Sequence, residues 1–153
     1  GAVVGLVAIT PAAGFVSISQ SIFIGVFAAI VSNIAVHLKS KSRLDDTLDV
    51  FPCHGIGGIV GVLMTGIFAS KMINPAGNDG LLFGNFEFLF TQVKALIISA
   101  TFSFVVSFLI FKLINFIEPI RVSIEDEELG LDQSQHAEKY AQGTLLSPKE
   151  FVL

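Results

Sequence analysis

The sequence predicts an all-α fold, a polytopic bundle of membrane helices. The first observation is composition: 52% of the 153 residues are hydrophobic, 14% are charged and the mean hydropathy is +0.76. That is more apolar surface than an ordinary soluble domain of this length can bury. The second is pattern, because four apolar stretches at 1–16, 20–38, 50–69 and 90–117 alternate with segments holding nearly all the charges. The third is the mix of fourteen Gly and fifteen Phe. Small residues suit close helix contacts in a bilayer, and bulky ones suit lipid-facing positions.

The first stretch contains Gly1, Gly5, Pro11 and Gly14 and opens without an initiator Met, a basic leader or a cleavage site. It is therefore expected to be the end of a further crossing in a longer protein, with Pro11 as a kink. The next three stretches can each cross a hydrocarbon core of roughly 30 Å at roughly 1.5 Å per residue. The last is longer than a crossing needs, so a tilt or a continuous helical run into the cytoplasm is expected. Lys94 and Lys112 stand near its ends, where long stems carry ammonium groups to the interface.

Orientation comes from Lys39, Lys41 and Arg43, which crowd the loop after the second stretch, while Lys71 stands alone in the next loop. The positive-inside rule makes the 39–49 loop cytoplasmic, the 70–89 loop external and the C-terminus cytoplasmic. The 70–89 connection holds Pro75 and three Gly and reads as a structured, turn-rich link without an assigned function. Residues 1–120 carry six acids and six bases, whereas 121–153 carry seven acids and three bases, so the net charge of −4 belongs to the tail. Transmembrane helices over 1–120 and an acidic cytoplasmic tail over 121–153 are expected. With few apolar anchors the tail should be weakly ordered alone and fold against a partner surface.

Chemistry concentrates in LDDTLDVFPCHGIGGIVG, residues 44–61. Asp45, Asp46 and Asp49 lie at the start of the third stretch, where carboxylates cap free backbone N–H groups and meet the positive end of a helix dipole. His54 lies eight residues beyond Asp46, roughly 12 Å along a helix and near the bilayer middle. Ionisable groups at that depth are rare and usually face a bundle interior or a cavity. Two readings stand open on spacing alone: a neutral imidazole tying two helices together, or a group lining a transport path. Pro52 removes a backbone donor, so the backbone beside His54 should be irregular, as it is at many transporter midplane sites. Helical spacing sets Val50, His54, Gly57, Gly58 and Gly61 on one face, and Gly57 with Gly61 forms a small-xxx-small packing pair. Cys53, the single cysteine, excludes an intrachain disulfide and a multi-cysteine zinc site. It lies roughly 100° round the helix from His54, so neither a shared metal nor a base–nucleophile pair is expected. No cofactor or enzymatic activity is anticipated. His37 and His136 are expected to be solvated.

The segment from Asp45 to Gly61 resembles the tenth membrane helix of the ammonium transporter (Amt/Mep) family. GLVAITPAAGFV at 5–16 resembles that family's eighth helix. The tail from Arg121 to Tyr140, with its Glu run, GLD and SQHAEKY, resembles the family's cytoplasmic C-terminus, while TLLSPKEFVL stands outside the resemblance. The resemblance implies a partial ammonium transporter fold: an eleven-helix subunit built as an inverted repeat and assembled as a homotrimer, each subunit with its own hydrophobic pore. This chain would supply helices eight to eleven. His54 matches the second of two adjacent pore histidines; the first, the recruitment aspartate and the outer aromatic gate belong to the other half. The sequence around His54 differs from that of Rhesus-type channels, which points to the bacterial branch and a bacterial inner membrane.

The implied function is ammonium or ammonia transport. A desolvated cation is costly in hydrocarbon, so a selective path would bind ammonium, take up its proton and pass ammonia through the dry section. Paired imidazoles, with a reference pKa of about 6.5, can donate and accept without a fixed charge. K⁺ carries no proton to remove. The resemblance further implies tail docking on a neighbouring subunit, a PII-family regulator as a cytoplasmic partner, and Ser134 at a position where relatives carry a phosphorylated Thr. An ammonium sensor that signals through the tail is the alternative.

Overall fold

The computed structural model describes residues 1–138, all of whose regular elements are helical. Tyr140 and TLLSPKEFVL lie outside the described residues. The described chain divides inside one long helix into two compact units, one ending at Phe104 and one beginning at Val105.

Helix α1, Ala2–Ile9, is shorter than the first apolar stretch because Pro11 has no N–H to continue it. A 3-10 turn over Thr10–Ala12 comes next, and the Thr10 hydroxyl donates back to the Leu6 carbonyl at 2.7 Å. Ser17 then starts α2, Ile18–Ser40, with a capping box. Its hydroxyl accepts from the Gln20 N–H at 3.3 Å, and the Gln20 side chain accepts from the Ser17 N–H at 2.8 Å. Such a cap contributes about 1 kcal/mol and explains why the helix begins two residues before the apolar run. Its 23 residues reach about 35 Å, enough for the hydrocarbon core.

The third span is composite: a π-helical turn over Phe51–Ile56 runs into α3, Gly57–Phe68. Three helices bury rows at four-residue spacing: Val4 and Ala8 on α1, continued by Ala12 in the 3-10 turn, Ile24, Ala28 and Ser32 on α2, and Gly57, Gly61 and Thr65 on α3. Rows of this spacing are the ridges that helices interdigitate, and small residues let the backbones approach. Gly61 is the closest point. A Cβ there would fall on the carbonyl of Ala8, 3.0 Å from its carbon and nearer still to its oxygen. Phe23 of α2 meets Phe68 of α3 edge-on, with centroids 5.6 Å apart.

The 70–89 connection is stitched to the helix ends. The Ser70 N–H donates to the Phe15 carbonyl, the Gly80 N–H to the Ala69 carbonyl, and the Lys71 N–H to the Asp79 carboxylate. Asn85 accepts from the Phe88 N–H at 3.0 Å, so α4, Phe86–Ile117, begins four residues ahead of the apolar stretch. Its 32 residues bury none of their side chains within the described residues. Lys94 lies over the Phe90 ring at 4.8 Å and Lys112 over Phe108 at 5.6 Å, each covering the apolar face one turn back.

In the second unit the start of the tail forms two short helices. Ser123 accepts from the Asp126 N–H at 3.1 Å and opens α5, Ile124–Leu129, whose first turn holds Glu125, Asp126 and Glu127. Carboxylates in that turn meet the positive end of the helix dipole. Gly130 turns the chain at φ 97° into α6, Leu131–His136. The Ser134 hydroxyl donates back to the Asp126 carbonyl at 3.2 Å, and Arg121 pairs with Glu127 at 2.9 Å.

Candidate functional site

The segment from Asp45 to Gly61 is built against α2. Asp46 is the cap of the third span: its two carboxylate oxygens accept from the Val50 N–H at 2.8 Å and the Phe51 N–H at 2.9 Å. The Phe51 and Val50 N–H groups, with the charge of Lys39, hold its pKa below the usual carboxylate value, against the opposing effect of burial. Asp49 has a different task. Its backbone is left-handed at φ 54°, a conformation Asp tolerates better than most residues, and its carboxylate pairs with Lys39. The Lys39 ammonium also donates to the Asp46 carbonyl. Asp45 takes no part in the cap and lines a loop recess with Lys39, Ser42 and Thr47.

Pro52 cannot donate to the carbonyl of the preceding turn, and the chain answers with a wider π-helical turn rather than a break. The Pro52 ring is buried, and the Ser32 hydroxyl, itself 2% exposed, donates to the Pro52 carbonyl at 2.9 Å. Phe51 folds over Gly55, where a Cβ would lie 2.9 Å from the ring. The turn hands over to α3 where the Gly57 N–H donates to the carbonyl of His54.

This turn divides the residues that helical spacing set on one face. Val50 and His54 are exposed, and a Cβ on Gly58 would meet nothing within 4 Å. Gly57 and Gly61 instead face α1, with Val4, Val7 and Ala8 against them. The imidazole therefore shares an open face with Val50 and Gly58, while the other two glycines are packing positions behind it. The physical reason is that a π turn winds more slowly than an α turn and shifts the phase of every residue after it. Cys53 packs on the core side, away from the exposed imidazole. His37, near the end of α2, borders a recess of about 600 Å³ with Asn33 and Ala29.

Ser32 and the second role of Lys39 escape a motif-based reading. The signal for Ser32 is a hydroxyl eight residues from Ile24 and four from Ala28 in an apolar helix. A hydroxyl on a buried row must find an acceptor.

Comparison with known proteins shows the family of the chain. A family model described as Ammonium Transporter Family matches residues 1–141. An ammonium transporter of Bacillus subtilis is 44% identical over 146 residues, covering 95% of this chain and 36% of that protein. One from Aquifex aeolicus is 46% identical over 140 residues, covering 91% and 32%. The crystal structure of Saccharomyces cerevisiae Mep2 superposes with a TM-score of 0.78 at 37% identity, covering 88% of this chain and 32% of that one. The chain spans about a third of the length of the relatives it matches.

Proposed function

This chain belongs to the Ammonium Transporter Family, and from that premise we propose that it forms the His54 side of a path by which ammonium or ammonia crosses a membrane. The observation that carries the reading is an exposed histidine on an otherwise apolar membrane span, presented by a π turn whose entry is capped by Asp46. Val50 and His54 line the path, and Gly58 keeps the wall beside them open. Gly57 and Gly61 set that wall against α1, while Asp46 and Asp49 secure the helix entry. Asp45 stands beside them without a bond of its own to the helix.

His54 works with a second imidazole from the remainder of the subunit. Together they accept and return the ammonium proton, so that the dry section carries no fixed charge. The large apolar side chains left uncovered on α2, among them Ile22, Val26 and Ile30, meet the rest of the subunit and lipid. The 39–49 loop and the tail face the cytoplasm of a bacterial inner membrane. Three such subunits form a homotrimer. The tail docks on a neighbouring subunit and couples the pores, with a PII-family regulator as its cytoplasmic partner. Phosphorylation at Ser134 would put negative charge on the hydroxyl that donates to the Asp126 carbonyl and so oppose the α5–α6 turn.

The test is flux through the full-length protein in vesicles, with His54→Asp and His54→Ala compared for ammonium-evoked and K⁺ currents. Loss of ammonium current by at least about 10-fold in His54→Ala is expected. Unchanged rate and selectivity in both variants refutes the assignment, and a parent protein that passes no ammonium removes the transport reading and leaves the sensor as the alternative.

A further inference from the structure

We propose that Ser32 is a positioning residue for His54, the anchor through which α2 fixes the π turn that presents the imidazole. This rests on the reading of His54 as a path-lining group. The π turn has two faces: one carries the buried Pro52 ring and the other the exposed His54. Among the described residues, two side chains from outside the span bond the turn: Asp46, just ahead of it in sequence, accepts from the N–H of its first residue, Phe51, and Ser32 reaches its buried face from another helix. The Ser32 hydroxyl bonds the Pro52 carbonyl at 2.9 Å, two residues before His54, across a sequence separation of twenty. A second tether lies lower on the same helix, where Lys39 grips both the Asp46 carbonyl and the Asp49 carboxylate.

Between these points the third span has its irregular backbone: Asp49 in the left-handed region, Pro52 without a donor, and the widened turn. Such a segment has neighbouring ways of winding, and the choice among them sets the direction of every side chain on it. Lys39 and Asp46 hold the entry, Asp46 bonding no further in than the Phe51 N–H that opens the turn. Ser32 bonds within it, so Ser32 fixes the winding. The hydroxyl is suited to this because it is buried, leaving it no water to turn to, and because it sits on the packed row with Ile24 and Ala28, which holds its Cα in place.

The experiment uses the full-length protein with Ser32→Ala, Ser32→Cys and His54→Ala. Ser32→Ala removes the donor from a helix that otherwise favours Ala, and Ser32→Cys keeps a weaker donor of similar size. Ammonium current is expected to fall about 3- to 10-fold in Ser32→Ala and less in Ser32→Cys, with a shifted pH profile in both. Amide exchange of residues 51–57 should quicken in Ser32→Ala while the later turns of α3 keep their protection. Normal current, pH profile and exchange in Ser32→Ala, with His54→Ala impaired, overturns the anchor and leaves the role of His54 standing. Loss of protection throughout α2 and α3 also overturns it, because the bond would then be general packing. If His54→Ala is itself unimpaired, the underlying reading fails.

Discussion

Gly61 is where two helix backbones come closest, and adding one methyl group there tests the packing directly. A Cβ at Gly61 would lie 3.0 Å from the carbonyl carbon and the Cα of Ala8 and nearer to the oxygen. Ordinary contact begins near 3.4 Å. The obstacle is backbone, which cannot rotate away as a side-chain end can, so α1 must withdraw or tilt. Four residues earlier Gly57 faces the same helix, but the nearest atoms to a Cβ there would be Val4 and Val7 methyl groups at 3.4 Å, side-chain rather than backbone atoms. Both substitutions to Ala gain similar helix propensity, about 1 kcal/mol, so this contribution cancels in their difference. What remains is overpacking at Gly61, about 1–3 kcal/mol. Reversible unfolding in mixed micelles of the full-length protein should therefore find Gly61→Ala less stable than Gly57→Ala by about that amount. Equal stability would refute the claim that α1 and α3 touch through the Ala8 carbonyl.

The helix cap and the tail are open to perturbation in the same way. The Asp46 carboxylate, depressed below its ordinary 3.8 by the Phe51 and Val50 N–H groups and by Lys39, contributes its cap in full above that ordinary value and loses it as pH falls through the lowered one. Exchange of the Val50 and Phe51 amides should thus be insensitive to pH near neutrality apart from intrinsic chemistry, and Asp46→Ala should expose both at every pH. Deleting residues 121–153 should lower flux while leaving trimers intact on native gels, and undiminished flux would remove the proposed coupling between pores.

Much of the membrane architecture was legible because it rests on quantities the sequence carries openly. An apolar run long enough to cross lipid has few other fates, and three of the helices meet that criterion. The helix ends were less legible because caps decide them. Ser17 with Gln20 and Asn85 with Phe88 each extend a helix beyond its apolar run. Pro11 shortens α1 by the opposite means, withdrawing a donor. In the tail, Ser123 caps the first of two short helices and Arg121 pairs with Glu127, local bonds that do not register in mean hydropathy.

The site divides along the same line. His54 stood out because an ionisable group in an apolar span is costly wherever it points. Its neighbours on the helix did not, because assigning them to a face assumes a constant turn per residue from Val50 to Gly61. Pro52 announced that this regularity fails, but a missing N–H is equally compatible with a kink, a break or a wider turn. The outcome depends on what receives the Pro52 carbonyl. That acceptor is satisfied by Ser32, twenty residues away on another helix. The phase of the site, and with it the separation of Gly58 from Gly57 and Gly61, is therefore a tertiary property: it is written in the pairing of Ser32 with Pro52 and in neither segment alone.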